Sequence, residues 1–254
     1  MENEITSTIT IESPLEGEWK FLCPPGHHPN AFDFVKTSSN HNSTHKKRII
    51  NFLFGQIDSS DYYCWGKPVL SPVNGKVIRS CDGWKDHKYT NLWKAISIWY
   101  NATYKFRPKE KNGRLDVRPN AGNHVMIETN DGHIVFLAHL KNGSTLVKEG
   151  QRVEVGEKIG VVGNSGNSTA PHLHINIFDQ MEDPYKAKVL PFVFKQYETL
   201  NKNNIWEKNN SSVPVVGSFV KFGRITNKVR LCEQSEPQSE PSVGQARRRC
   251  SALL

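Results

Sequence analysis

The chain has 254 residues but no C-x-x-C pair, and its five cysteines (Cys23, Cys64, Cys81, Cys232, Cys250) are scattered. That spacing argues against a thiolate zinc knuckle and against a dense disulfide framework. No apolar run approaches the roughly 18–20 residues that a membrane-spanning helix needs. The first twenty residues carry Glu2, Glu4, Glu12, Glu16 and Glu18 and no basic-then-apolar stretch, so no secretory leader is read there. Net positive charge is small where a domain would be. Residues 1–200 hold 24 Lys+Arg against 21 Asp+Glu, whereas residues 201–254 hold 9 against 4. The basicity is thus mostly a property of the C-terminal end, and nucleic acid is not expected as a partner.

What the sequence does hold is β signal. Hydrophobic residues make up 37% and charged residues 23%, enough to bury a core. Residues 5–22 read as extended, and KPVLSPVNGKVIRSC reads as two short strands around an Asn-Gly turn. NHVMIET and HIVFLAHL flank Asn130-Asp131-Gly132 as a hairpin. LVKEGQRVEVGEKIGVVG is punctuated by glycine into short strands, and HLHINIFD closes the pattern. With little intervening helix, these segments predict a mostly β, antiparallel, twisted sheet or barrel-sandwich-like domain. Residues 1–22 read as an N-terminal extended segment and residues 23–200 as the domain. Insertions are expected near 36–66, with a short helix in KKRIINFLFGQI, and near 82–121, with a helix or hairpin of its own. Residues 201–254 read as a low-complexity, disordered, basic tail.

Three segments hold residues suited to chemistry. In Pro171-His172-Leu173-His174, strand alternation sets His172 and His174 on one face, about 7 Å apart, with Asn176 in line. Leu173, Ile175 and Ile177 then face a core. His139 ends the strand HIVFLAHL, where it shares parity with His133, Val135 and Leu137. In His27-His28-Pro29-Asn30-Ala31-Phe32-Asp33, a turn near Pro29 would let an imidazole and a carboxylate converge. His28, Asp33 and His174 would give three ligands and leave one position open, the count of a catalytic zinc. His139 and His172 remain as imidazoles for general base and oxyanion duties. GNSGNST ahead of the H-x-H strand reads either as a tight turn at the groove or as a plain β-turn.

These segments resemble the lysostaphin-like (LytM-type) zinc metallopeptidases. The resemblance rests on H…AFDF, KPVLSPVNGKV, GNHVMIE and FLAHLKNGSTLVKEGQRVEVGEKIGVVGNSGNSTAPHLHINIFD, and covers about residues 23–180. It implies a small twisted β domain with one zinc in a groove and endopeptidase action on a peptide or peptidoglycan cross-bridge, often at glycyl bonds. It also implies His28, Asp33 and His174 as zinc ligands, with His139 and His172 in catalysis. The family's usual first motif sets three residues between His and Asp, whereas His28 has four and His27 five. His28 is taken here as the first ligand, with His27 as the alternative.

Two other readings compete. LVKEGQRVEVGEKIGVVG is similar to the repeat of biotinyl or lipoyl carriers, but none of Met1, Met126 and Met181 adjoins a lysine, as a biotinyl site would need. An inactive relative that binds peptide or regulates another hydrolase would typically lack site residues, and every position here has a candidate.

Overall fold

The computed structural model describes residues 8–107, 109–111, 114–180 and 187–224. Most of its regular structure is β, centred on one twelve-stranded sheet. The hydrogen-bonded order starts at Ile9–Ile11 and passes through Phe192–Leu200, Phe219–Phe222, Gly17–Leu22 and Phe32–Val35. It continues through Leu173–Phe178, Ile134–Leu140, Asn123–Thr129 and Gly75–Cys81 to Arg152–Val153. The path has two distinct ends, so the sheet is open and not a closed barrel. Its pairings are antiparallel except Ile9–Ile11 on Phe192–Phe194.

Alternation explains the central strands. Leu173, Ile175 and Ile177 are fully buried and join Val125, Ile127, Val135 and Leu137 in the main core. Their odd parity puts them on one face, and the even-numbered His174 and Asn176 on the other. The expected hairpin forms between Asn123–Thr129 and Ile134–Leu140. Gly132 supplies the positive φ of its turn at +81°, where a residue with a Cβ would be strained.

Several boundaries differ from the sequence reading. Pro68–Leu70 and Gly75–Cys81 are both strands but not partners: the first pairs Lys158–Val161, the second Asn123–Thr129. Gly17–Leu22 pairs both Phe32–Val35 and Phe219–Phe222, so the N-terminal segment is part of the sheet. Trp206–Ser212 and Phe219–Phe222 are strands, although composition placed them in a tail. Trp206–Ser212 is polar and mostly exposed, held by main-chain pairing to Phe192–Leu200, which composition cannot register. Phe219–Phe222 turns Val220 and Phe222 into the core. The rest of the expected disordered basic tail, residues 225–254, lies outside the described residues.

Both insertions carry helix. Ile49–Phe54 is a short one. Leu92–Tyr100 begins at Asn91, whose side chain accepts the Lys94 amide, an N-cap that satisfies a free backbone donor. It continues through Asn101–Lys105 as a wider π turn and stops at Phe106, which is extended. Lys109–Lys111 and Arg114–Asp116 then form a small hairpin.

Candidate metal centre

Asp33 is the hub. Its strand Phe32–Val35 pairs with Leu173–Phe178 so that Asp33 stands directly opposite His174. His174 Nδ1 is 2.9 Å from Asp33 Oδ1. His172 Nε2 and His27 Nε2 approach Asp33 Oδ2 at 3.4 and 3.5 Å. Burial by itself would raise the Asp33 carboxyl. The charges of His172 and His174, a hydrogen bond from His174 and the charge of His27 outweigh it and hold the carboxyl well below the usual range. Burial lowers His27, and the nearby Asp33 only partly offsets this. At neutral pH the His27–Asp33 contact is therefore a neutral imidazole beside a carboxylate.

One ligand atom from each of His27, Asp33 and His174 lies within 4.8 Å of the others. Two imidazoles and a carboxylate at that separation fit a divalent metal. His28 is not in this group. It is exposed, and its Nδ1 accepts the Asn30 amide at 3.2 Å. Two successive turns explain the exchange: the His27 amide donates to Pro24 O and the Ala31 amide to His28 O. They direct His27 inward and spend His28 on shaping the loop.

His139 reaches the site against strand parity. Val135 and Leu137 point into the main core, so strict alternation would send His139 after them. Instead the register slips between Asn123 and Val125 against Leu140 and Leu137, which leaves an extra residue on the His139 strand. His139 adopts φ +63° at that bulge. Its ring thereby joins Ala138 and Phe136 on the site face, 4.5 Å from the His172 ring and 6.0 Å from the His174 ring, centroid to centroid. Such a backbone is costly for a residue with a Cβ and persists only where the surroundings enforce it.

Backbone carbonyls set the two remaining imidazoles. His139 Nδ1–H donates to Ser165 O at 2.8 Å, and His172 Nδ1–H donates to Ala170 O at 2.7 Å. In each ring Nδ1 is thereby the protonated nitrogen, which turns Nε2 of His139 to the site as an acceptor and Nε2 of His172 toward Asp33. Burial, then His172 and His174, push His139 well below its ordinary value, which keeps it neutral. The Ser165 carbonyl is fixed by glycine. A Cβ on Gly122 would collide with Ser165, and one on Gly166 would collide with the Gly122 amide. GNSGNST is therefore a turn at the groove. Beneath the H-x-H strand, the Cys64 thiol donates to Pro171 O at 3.0 Å, and burial pushes that thiol up to about 12.

The cluster lies in a cleft of about 390 Å³. The second insertion walls it: Trp99 Nε1–H donates to Pro25 O at 3.2 Å, and Asn101 Nδ2 donates to Asn167 Oδ1 at 3.0 Å. The helix is thus tied to both the His27 loop and the loop before His172. Sequence reasoning did not find Ser165 and Ala170, because they act through carbonyls that carry no residue-type signal. Trp99 was visible only as part of an aromatic insertion.

Residues 110–186 match Peptidase family M23. An uncharacterized metalloprotease of Buchnera aphidicola is 37% identical over 40% of this chain and 25% of its own length. Peptidoglycan DD-endopeptidase ShyA of Vibrio cholerae is 42% identical over 23% of the chain and 13% of its own length. Glycyl-glycine endopeptidase ALE-1 of Staphylococcus capitis is 34% identical over 46% of the chain and 29% of its own length. The similarity therefore spans less than a third of each of these relatives. The chain's similarity to Peptidase family M23 thus lies in residues 110–186.

Proposed function

We propose that the chain is a zinc-dependent endopeptidase acting on extended peptides, of the glycyl-containing or peptidoglycan cross-bridge kind. The observation that carries this reading is the convergence of His27, Asp33 and His174 with two further imidazoles that are held by backbone carbonyls at Nδ1. The names of the relatives, peptidoglycan and glycyl-glycine endopeptidases, support the substrate class.

In this reading His27, Asp33 and His174 hold the zinc, one per chain. When bound, zinc supplies a Lewis acid and lowers the pKa of a water from 15.7 to about 7. The chain's own residues do the proton work. Nε2 of His139 or His172 takes the proton of the attacking water and returns it to the leaving amine. The ring that has taken this proton is then a cation and faces the oxygen on which negative charge develops, until it passes the proton on. The Ser165 and Ala170 carbonyls keep Nδ1 of both rings protonated, so that Nε2 is the nitrogen that exchanges the proton. A glycyl residue suits a cleft walled in this way, because without a Cβ its backbone can lie deeper.

The test is metal analysis, followed by incubation with purified peptidoglycan and oligoglycine with and without chelator. The expected result is one zinc per chain and cleavage that chelator abolishes and zinc restores. Cleavage that is insensitive to chelator would overturn the reading.

A further inference from the structure

The face of the sheet that carries the imidazoles also carries a second apolar cluster, separate from the main core. Met126, Phe136 and Ala138 form its floor, Val117 and Ala121 pack beside them, and Phe106 of the insertion lines the same cleft. This compartment is continuous with the His/Asp cluster: Ala138 stands opposite His174 in register, and Phe136 opposite Asn176. Among the described residues that line the cleft there is no Lys, Arg or Glu, and Asp33 is the only carboxylate. A charged side chain entering here would lose its hydration without gaining a partner. An aliphatic or aromatic one would exchange water for apolar contact. Beside the apolar floor, Asn176 is buried at 3% exposure, and its Nδ2 has no hydrogen-bond partner. A buried amide of this kind is completed by an acceptor such as a peptide carbonyl.

We propose that this compartment is a specificity subsite. It takes one bulky, uncharged apolar side chain of a peptide, next to the bond addressed by the His/Asp cluster, while Asn176 holds the peptide main chain. The proposal rests on the endopeptidase reading for the position of the cut, but not for binding. Its physical reason is local to this chain, since the second insertion supplies Phe106, Val117 and Ala121.

The test uses the full zinc-loaded chain and blocked peptides Gly-Gly-Xaa-Gly-Gly, with Xaa as Gly, Leu, Phe or Lys. Two readouts are taken. One is kcat/KM, with mass spectrometry to locate the cut. The other is the ¹³C-methyl spectrum of the three methionines, with the Met126 signal assigned by Met126→Leu. The expected result is that Leu and Phe peptides are cut beside Xaa about tenfold or more faster than Gly and Lys peptides. The same two shift the Met126 signal. Val117→Trp lowers the Leu-to-Gly ratio severalfold. Cleavage with no preference for Leu or Phe overturns the subsite and leaves the peptidase reading standing. So does a preference that leaves Met126 unmoved. A Met126 shift selective for Leu and Phe, with no peptide cut, keeps the subsite and overturns the peptidase reading. No shift and no cleavage overturns both.

Discussion

The carbonyl of Ser165 holds the ring of His139 by a 2.8 Å hydrogen bond, and that carbonyl is placed by the backbone contact of Gly122 with the Ser165–Gly166 turn. The glycines therefore matter to the site although neither carries a reactive group. Gly122→Ala adds a Cβ at φ +63° and drives it into Ser165. Such a change costs about 2 kcal/mol or more of stability. The expected outcome is a lower urea midpoint, with turnover per folded molecule also reduced because His139 loses its orientation. Equal midpoints for the variant and the parent would contradict this account of the turn.

The first ligand is tested by a pair of neighbours. His27→Ala removes an imidazole 3.5 Å from Asp33 and is expected to take zinc content well below one per chain. His28→Ala removes an exposed ring and is expected to leave it unchanged. Metal analysis after gel filtration separates the two, and the reverse pattern would restore His28 as the ligand.

His172 and His174 stand two residues apart but should fail differently. His174→Ala is expected to lose the metal. His172→Ala is expected to retain it and lose turnover by a factor of about 10² or more. Zinc stoichiometry and kcat, measured on the same preparations, check this. Full zinc content in His174→Ala would sink the ligand assignment.

Acid should unfold the chain in part through His124. This residue is fully buried; its Nδ1 is 2.8 Å from Gly122 O, and burial lowers it to about 4. Between about pH 4 and the ordinary 6.5 the unfolded chain binds this proton more readily than the folded one. The contribution is therefore complete above 6.5 and is lost as pH falls toward 4, by about 3 kcal/mol over the whole window. His124→Asn is expected to flatten the fall in urea midpoint between pH 7 and pH 4.5. An unchanged slope would assign the acid sensitivity to other groups.

Trp99 should act on binding more than on folding. Trp99→Phe keeps the ring and deletes the donor to Pro25 O. Because Trp99 lies at the surface, the stability change is expected to stay below about 1 kcal/mol. KM is expected to rise severalfold, because the wall of the cleft is no longer tied to the His27 loop. Steady-state kinetics and thermal unfolding on one preparation distinguish this from a general loss of structure.

Much of this protein was legible in residue order alone. The period of two in LHINIF put Leu173, Ile175 and Ile177 inward and His174 and Asn176 outward, because a strand must alternate. The glycine-punctuated segments marked where strands turn, and the identities of Asp33, His139, His172 and His174 marked where chemistry could occur. Three things were decided only when distant segments packed. His27 rather than His28 faces Asp33 because of the two turns after Pro24. His139 crossed to the opposite face because a bulge against Asn123–Val125 forced a positive φ. Residues 206–222 joined the sheet because their main chain found partners in Phe192–Leu200 and Gly17–Leu22. Side-chain pattern encodes which face a residue prefers. Turn geometry, bulges and edge pairing depend on backbone hydrogen bonds between segments far apart in the chain, and those bonds are written in no single stretch of sequence.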